Sequence, residues 1–572
     1  MERLSGLDAS FLYLETPNLH MHVSMAAVFD PATVPGGYTF ERLRDRVSAR
    51  LDRLPVFRRR LVEVPLRLGH PFWVEDPDFD IEYHVRRAAL PSPGGVAELA
   101  TFVGDVCSRQ LDRARPLWQM YLVEGLERGL VAHVTKIHHA TIDGVSGAEL
   151  LGQIFDLEPD PDDSLSAGAE PTRATAGGAA PAGGRGDGAE PGGGGAEPGG
   201  GGAATAGVER RAGPAAGRRV PPVPDDVVVL GRTLVDRLRR PLGASRLALH
   251  TGRAVIDLVR VRRAAPHPAA RGALPLTAPR TSLNGAITPH RTVALVSTSL
   301  DDVKAVKRAL GCTVNDVVLA MCTGALRHYL VERDDLPTDP LVALVPVSVE
   351  PSRAQQMQGS NKVSAMWVGL PCALADPVAQ VEHIRASTRG AKDEFRALGA
   401  DVLVNWTEHA SPSLFAAAAR LYSRLRLADR HRPIYNVVVS NVPGPDFPLY
   451  LAGAEMVAGF PLGPVADGAG LNITVMSYRG VLNWGLMACT ETVPGVWDIA
   501  HGLADALHGL MAAAGLGVPA PVGISPAGDG SLAGGSTARR AATRRAGGVP
   551  ARGANRRRQE PQTAVPPQGS LP

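Results

Sequence analysis

The chain has 572 residues, of which 44% are hydrophobic, and its formal net charge is only +3. This length allows several domains with large cores, and the small charge, without a recognisable DNA- or RNA-binding motif, argues against a nucleic-acid-binding protein. The five cysteines are widely scattered and form no CxxC pair, which favours a reducing, cytoplasmic compartment. We expect neither secretion nor a membrane span, because the first residues include acidic ones and no stretch has the roughly 18 apolar residues that a spanning helix needs.

The first part of the chain predicts a β-hairpin followed by a helix. Residues 117–126 and 129–139 are apolar, β-branched runs typical of strands, and the GLERG sequence between them is typical of a turn. Residues 143–157 then place apolar side chains at helical spacing behind an Asp-Gly start. Two adjacent histidines, His138 and His139, therefore lie where a strand runs into a turn before a helix.

The middle of the chain changes character abruptly. Residues 159–224 are dominated by Gly, Ala, Pro and Glu, in repeats such as GAEPGGGG. This composition has few apolar side chains to offset the entropy lost when a backbone becomes ordered, so it predicts a disordered linker. Residues 516–572 have the same character with added arginines, and we expect them to form a disordered basic tail.

Residues 225–284 connect the linker to the second half and form a predicted basic amphipathic helical connection. Within them, residues 231–263 hold nine arginines against two aspartates, with Leu, Val and Ile three to four residues apart. Such a segment can lie on an anionic membrane surface, which the coincidence of an apolar stripe with an arginine excess favours. The alternative is a solvated arm that packs on its own domain.

The second half of the chain again mixes helices and strands. Residues 313–333 predict a helix with Thr313 as its N-cap. Buried or half-buried strands are predicted at 341–349, 435–445 and 480–490. The two globular halves, residues 1–158 and 285–515, therefore both belong to the α/β or mixed α+β class.

The histidine pair is the clearest candidate for chemistry. A neutral imidazole can remove a proton from an attacking hydroxyl, but adjacent side chains of a strand point to opposite faces, so only one of the two histidines can serve a reaction site. Gly144 permits a tight turn, and Asp143 can bond to the local backbone or to an arginine and so fix the loop. Taken alone, the pair fits ordinary packing better. His133 and Asp143 match no familiar ligand spacing, so we expect no metal site.

The complete string HHATIDG resembles the HHxxxDG signature of the CoA-dependent acyltransferase superfamily, which includes chloramphenicol acetyltransferase. Four further segments occur in matching order and resemble the bacterial wax ester synthase/diacylglycerol acyltransferase family: LSGLDASFLYLET, RPLWQMYLVEGL, TVNDVVLA and VVSNVPGP. The resemblance covers both globular halves. It implies two chloramphenicol-acetyltransferase-like domains with an active-site tunnel between them, whereas the long linker and the arginine-rich tail depart from the family pattern.

The resemblance also implies an activity. An acyl-CoA-dependent O-acyltransferase of this family esterifies diacylglycerol to triacylglycerol, and in some members long-chain alcohols to wax esters. His139 is then the general base, His138 and Asp143 support it, and Gly144 forms the turn. Acyl-CoA is a substrate in this chemistry, so no cofactor is expected.

Other motif residues are candidates for the substrate tunnel: Pro116, Trp118, Asn315, Asp316 and Asn441. Each has a simpler structural alternative, namely core packing for the segment Pro116 to Trp118 and helix capping for Asn315 and Asp316. Donors for the reaction's oxyanion are expected near the base. Candidates for that role are Asn315, Asn441 and Asn472.

Two other functions stay open at this point. One is a non-catalytic protein that coats lipid surfaces or droplets, which an intact HHxxxDG motif argues against. The other is a condensation-type acyltransferase that uses another acceptor. For the leading hypothesis, the expected partners are acyl-CoA and a lipid hydroxyl. The expected location is the cytoplasm, with peripheral attachment to the inner face of the plasma membrane or to lipid droplets.

Overall fold

The computed structural model describes residues 1–141, 154–159, 225, 228–233, 256–265, 273–348, 363–398 and 412–517. The predicted linker and tail lie almost wholly outside these ranges. The predicted helix at 143–157 also lies largely outside them.

The first half contains seven strands and four α-helices within the described residues. The strands are β1 Glu2–Arg3, β2 His22–Asp30, β3 Arg59–Val62, β4 Phe72–Glu75, β5 Val85–Ala89, β6 Trp118–Glu124 and β7 Val131–His138. The helices are α1 Gly6–Leu14, α2 Phe40–Arg50, α3 Ile81–His84 and α4 Val96–Cys107. The predicted hairpin is confirmed, because β6 and β7 pair antiparallel from Trp118 opposite Ile137 to Val123 opposite Ala132.

The second half follows the same mixed plan. Its strands are β8 Arg291–Ser299, β9 Leu341–Ser348, β10 Val363–Leu370, β11 Val437–Val442, β12 Tyr450–Leu451, β13 Ala454–Leu462, β14 Leu471–Tyr478 and β15 Val481–Cys489. Its helices are α5 Leu300–Leu310, α6 Val314–Val331, α7 Pro377–Leu398, α8 Pro412–Arg424 and α9 Val496–Ala513. The predicted strands at 341–349, 435–445 and 480–490 are confirmed as β9, β11 and β15.

Helix α6 begins where the sequence predicts. The Thr313 side chain accepts a hydrogen bond from the Asp316 backbone at 3.2 Å, and the Asp316 carboxylate accepts one from the Thr313 backbone at 2.9 Å. This reciprocal capping satisfies two amides that the helix leaves without partners. The preceding helix α5 is capped at its C-terminus by Gly311, whose φ of 62° lies in the left-handed region that favours glycine.

Two six-stranded sheets organise the described residues. The first has the strand order β12-β13-β2-β7-β6-β5, and the second has the order β10-β9-β11-β14-β15-β8. Strand β11 pairs in parallel with β9 and β14, while the other pairs of the second sheet are antiparallel. Helices α6, α7 and α9 cover the second sheet and share one apolar core with it.

A strand of the second half completes the sheet of the first half. Strand β13 pairs antiparallel with β2, from Glu455 opposite Asp30 to Leu462 opposite Ser24. It also passes so close to β15 that a side chain on Gly485 would lie 2.0 Å from the carbonyl oxygen of Pro461. Residues of both sheets and of α4 then share one buried core, in which Phe460 packs near Val134 and Leu295. The sequence patterns gave no sign of this strand exchange.

A small sheet with the order β1-β4-β3 lies in the first half. Residues 228–233 are helical and lie against it, with Val229 fully buried beside Val64 and Phe72. Part of the basic connection is therefore packed on the protein itself. Within residues 256–265 of the same connection, Arg262 forms an ion pair with Glu394 of α7 at 2.6 Å.

No single helix among the described residues is both long and apolar enough to cross a bilayer. One bent pair, α5 with α6, meets the length and composition criteria only when the two helices are taken together.

The shared core predicts a large stability difference between two phenylalanines of the second half. Phe460 is 2% exposed, whereas Phe447 is 48% exposed. We expect Phe460→Ala to lower the free energy of unfolding by about 3–5 kcal/mol, because it leaves a cavity between the sheets. Phe447→Ala should change it by less than about 0.5 kcal/mol. Urea unfolding followed by tryptophan fluorescence measures both, and equal losses would contradict the shared core.

Candidate active site

The histidine pair lies at the end of a central strand. Strand β7 ends at His138, and a single 3₁₀ turn covers His139–Thr141. The His138 amide donates to the carbonyl of Leu117 at 3.0 Å, and the His139 amide donates to the carbonyl of Met21 at 2.7 Å. The main chain of the pair is therefore held from both neighbouring strands before any side chain contributes.

The two imidazoles have different surroundings. His138 is 1% exposed, and its Nδ1 accepts a hydrogen bond from the amide of Ala140 at 3.0 Å. A neutral imidazole that accepts at Nδ1 carries its proton on Nε2. Burial lowers the pKa of His138 to about 3, so this histidine is neutral at any physiological pH. Its role within the fold is to accept the Ala140 amide and so to shape the turn.

His139 is partly exposed, unlike His138. Its ring stacks on Phe11 of α1 with 4.1 Å between the ring centroids. Among the described residues, its buried Nδ1 has no hydrogen-bond partner. Burial lowers the pKa of His139. The neutral, proton-accepting form is thus favoured.

A buried carboxylate, paired with a partly exposed arginine, lies beside His138. Glu15, which follows α1, accepts hydrogen bonds from Arg113 at 3.0 Å and 2.5 Å through its Oε2. Its Oε1 lies 3.4 Å from Nε2 of His22 and 3.7 Å from Nε2 of His138. Burial acts to raise the pKa of Glu15, but the two histidines and Arg113 together lower it to about 2. Glu15 is therefore an ionised carboxylate at neutral pH, and it faces His138 and His22.

Asp143 and Gly144, the last two residues of the motif, lie outside the described residues. Their predicted supporting roles stay predictions.

The segment from Pro116 to Trp118 is adjacent to the histidines through its backbone. Leu117 supplies the carbonyl that holds His138, as given above. The Trp118 ring is buried against His84 at 4.6 Å between centroids, and its indole N–H donates to the carbonyl of Phe57 at 2.8 Å. Packing thus accounts for the Trp118 side chain, and its contribution to the site is to fix β6 beside β7.

The candidate asparagines differ in their burial and in the hydrogen bonds that their side chains form. Asn472 is buried in β14, where it donates to the carbonyl of Pro464 at 2.9 Å and accepts from Thr474 at 2.8 Å. Asn441 lies partly exposed in β11, and Asn315 lies partly exposed in the first turn of α6. Asp316 is buried and engaged in the cap of α6.

Three residues close to the pair had no separate place in the sequence predictions: Phe11, Glu15 and His22. Phe11 and Glu15 belong to the N-terminal segment LSGLDASFLYLET, and a buried acidic residue at the end of an apolar helix is a signal that points to a partner. His22 is different. It lies opposite His138 only because β2 pairs with β7, which no local pattern reveals.

The described residues contain no group of three or more His, Cys, Asp or Glu side chains placed to hold a metal ion. The polar chemistry around His139 is that of a neutral imidazole with a buried carboxylate behind its neighbour.

The fold and the site define a mixed α/β protein with a partly exposed histidine just after the end of a central strand. The family model described as the wax ester synthase/diacylglycerol acyltransferase catalytic domain matches residues 4–318, and the model of the family's C-terminal domain matches residues 359–511. The chain therefore belongs to the wax ester synthase/diacylglycerol acyltransferase family, as the sequence motifs predicted, and it is an enzyme of the acyltransferase class.

Individual relatives agree with this assignment. A Mycobacterium tuberculosis protein provisionally named diacylglycerol O-acyltransferase is 38% identical over 512 residues, which cover 89% of this chain and 90% of the relative. A second M. tuberculosis protein with the same provisional name is 34% identical, with coverage of 91% and 97%. The solved wax ester synthase/diacylglycerol acyltransferase of Marinobacter aquaeolei is 28% identical, with a TM-score of 0.56 and coverage of 90% and 100%. The predicted mixed α/β class is confirmed.

The buried neutral histidines predict a loss of stability in mild acid. Burial lowers the pKa of His22 to about 4 and that of His138 to about 3, from 6.5. Below pH 6.5 the unfolded chain binds protons that the folded protein does not. The free energy of unfolding therefore decreases as the pH is lowered, by up to about 1.4 kcal/mol per pH unit for each such group. Thermal melting at pH 7.5, 6.5 and 5.5 should show a falling midpoint. His138→Asn should flatten this dependence, and a constant midpoint in the natural protein would contradict it.

Proposed function

We propose that the protein transfers a fatty acyl group from acyl-CoA to the free hydroxyl of diacylglycerol, with His139 as the general base. The observation that carries this proposal is the position of His139 in the HHxxxDG motif: it is the partly exposed histidine of the pair, it is biased towards its neutral form, and it is held by its backbone and by Phe11. A base of this kind suits an alcohol acceptor, which must lose a proton as it attacks.

In the reaction, neutral His139 removes the proton of the attacking hydroxyl while the oxygen bonds to the thioester carbon. The tetrahedral oxyanion collapses, the carbon–sulfur bond breaks, and CoA leaves as a thiolate. Because burial disfavours the imidazolium, His139 readily returns its proton to that thiolate. The ester and free CoA are formed, and the base is restored without a change in its charge.

A covalent acyl-cysteine is not favoured by the cysteines of this chain. All five are buried and free of disulfides. Burial raises the pKa of Cys107 and Cys322, and it raises that of Cys372 to about 12. A thiol becomes a good nucleophile when its pKa is low and when it is accessible. These thiols are buried, and their pKa is raised. Direct transfer to the acceptor is the simpler mechanism.

The acceptor can be diacylglycerol or a long-chain alcohol, because a general base treats both hydroxyls alike. The motif and the family models apply equally to both activities. Because the two M. tuberculosis relatives are named as diacylglycerol O-acyltransferases, we propose triacylglycerol synthesis as the main activity and wax ester synthesis as a second one.

Replacing His139 should remove most of the activity. We expect His139→Ala to lower the turnover of labelled acyl-CoA with diacylglycerol by at least about 100-fold, the range of a lost general base. His138→Ala should lose less turnover per folded molecule and more stability, because it removes the acceptor of the Ala140 amide. The matched control is His328→Ala, an exposed histidine of α6.

The products should be separated by chromatography in an acceptor panel of diacylglycerol and hexadecanol. Equal turnover by the natural protein and His139→Ala would refute the assigned base. Binding of lipid vesicles without any release of CoA would instead favour a non-catalytic lipid-coating protein, and transfer only to other acceptors would favour a condensation-type enzyme.

We further propose that the enzyme works peripherally on a lipid surface at the cytoplasmic side, either the plasma membrane or a lipid droplet. Diacylglycerol is dissolved in such a surface, so the enzyme must reach it there. The feature that supports the proposal is helix α8, which is apolar on two opposite faces.

One face of α8 is buried and the other is exposed. Ala416 and Ser423 face the protein, and Phe415 contacts Tyr13 of α1 with 6.2 Å between ring centroids. Leu414 and Leu421, seven residues apart, lie on one outward face and are 71% and 54% exposed. A helix with a second, solvent-facing apolar stripe is typical of a segment that enters a lipid interface.

The charge around this stripe suits an anionic surface. Arg420 and Arg424 are exposed on one flank of α8, and Arg430 and Arg432 follow close behind. Arginine beside an interfacial leucine is favourable for anionic headgroups. Because α8 packs on α1, and α1 places Phe11 on His139, this surface lies one helix away from the base.

The leucines of α8 should determine vesicle binding. We expect Leu414→Ser with Leu421→Ser to weaken binding to phosphatidylglycerol vesicles by at least about tenfold, since two apolar side chains no longer enter the interface. Val331→Ser, on an exposed site of α6, is the matched control. Flotation assays measure the bound fraction, and unchanged binding by the double variant would refute α8 as the docking helix.

A further inference from the structure

We propose that the ion pair between buried Glu15 and partly exposed Arg113 is a positioning device for the base: it orients His138 through its imidazole and His139 through helix α1. Neither residue touches the reacting atoms in this proposal. It rests on the proposed acyl transfer, and it assigns a role to Glu15, Arg113 and His138, which the reaction itself does not use.

The first step of the argument concerns the cost of burying Glu15. Its side chain is 4% exposed, and an ionised carboxylate is expensive to bury without partners. Arg113 supplies the charge, in a two-nitrogen contact with one carboxylate oxygen, Oε2. The other oxygen, Oε1, is left facing His22 and His138. A stability role alone would be satisfied more simply by an apolar side chain at this position.

The second step concerns His138. With Nδ1 occupied by the amide of Ala140, its proton lies on Nε2, and that atom faces Oε1 of Glu15 at 3.7 Å. The negative carboxylate favours this tautomer, because it attracts the Nε2–H group. The opposite tautomer would present a lone pair to the carboxylate and a donor to the Ala140 amide. Glu15 thereby protects the hydrogen bond that shapes the turn immediately after His139.

The third step concerns His139. Arg113 also donates to the carbonyl of Leu12 at 2.8 Å, near the end of α1. The same guanidinium therefore fixes Glu15 and the last turn of the helix that carries Phe11. Phe11 stacks on His139, so the ring of the base is held by a helix that the ion pair anchors. Both histidines therefore depend on one ion pair through two separate routes.

Positioning of this kind affects the rate more than binding. A small displacement of a catalytic group costs up to about 100-fold in rate, while substrate contacts elsewhere are retained. We expect Glu15→Ala to lower kcat for acyl transfer by about 10- to 100-fold with little change in the KM for acyl-CoA. Glu15→Gln, which keeps an oxygen that can face His138, should recover part of the loss.

The control is a second buried carboxylate of the same kind. Asp156 is buried and forms ion pairs with Arg46, at 2.6 Å, and with Arg50, away from the histidines. Asp156→Asn should lower thermal stability as Glu15→Gln does, yet leave kcat per folded molecule close to that of the natural protein. If Glu15→Ala does not fold, kcat per folded molecule is compared between Glu15→Gln and Asp156→Asn, because neither substitution changes side-chain size. A lower kcat in Glu15→Gln alone supports the positioning role, and equal values overturn it.

A double-variant test separates positioning from stability. His138→Asn keeps an oxygen near the Nδ1 position but presents no Nε2–H to Glu15. If Glu15 acts partly through His138, the variant that combines Glu15→Ala with His138→Asn should lose less kcat than the product of the two single losses. Losses that multiply fully, or a kcat for Glu15→Ala equal to that of Asp156→Asn, would overturn the proposal.

A readout without acyl substrates keeps the proposal apart from the proposed function. Diethyl pyrocarbonate modifies neutral, accessible histidines, and peptide mass spectrometry follows the reaction at His139. Release of the ring from Phe11 should make this modification at least severalfold faster in Glu15→Ala and unchanged in Asp156→Asn. If the natural protein transfers no acyl group but His139 is still modified faster in Glu15→Ala, the proposed acyl transfer is refuted and the positioning role is not. If Glu15→Ala changes neither the rate of modification nor kcat, the positioning role is refuted and the acyl transfer is not.

Discussion

The pairing of β13 with β2 is the interaction on which the rest of the structure depends. It places a strand of the second half in the sheet of the first, and it buries Phe460 in a core that both sheets share. Strand β2 also lies beside β7, and the carbonyl of Met21, just before β2, holds the amide of His139. Strand β2, to which the second half is joined, therefore also supports strand β7, which leads into the proposed base His139. The crossing is close enough at Gly485 that a larger residue there would force the strands apart.

The two histidines illustrate how a repeated residue can serve two purposes. His138 is enclosed, its Nδ1 is committed to the Ala140 amide, and its environment keeps it neutral. His139 has the same covalent structure, yet it sits one residue beyond the strand, partly exposed and stacked on Phe11. Low dielectric surroundings favour the neutral form of both. The partly exposed His139 is the proposed proton acceptor, and the enclosed His138 shapes the turn.

An acyl transfer between two lipid-like substrates demands a particular balance. A histidine that acts as the base in such a transfer must be dry enough to remain neutral and to release its proton to the leaving thiolate, yet a lipid acceptor must be able to reach it. In this protein α1 links the two demands, since one of its sides contacts His139 through Phe11 and another contacts the amphipathic helix α8 through Tyr13. The same helix is fixed at its end by Arg113.

The sequence by itself determined the local structures and the chemistry of the motif. The hairpin β6–β7, helix α6 with its Thr313 cap, and strands β9, β11 and β15 follow from periodicity and capping, which depend on residues close in the chain. The HHxxxDG string and the four accompanying segments sufficed for the family. Only the tertiary structure decided that β13 joins the first sheet, that His22 lies opposite His138, and that Glu15 and Arg113 meet beneath the pair. These contacts join residues 98 to more than 400 positions apart, and burial of charge and apolar surface, rather than any local preference, selects them.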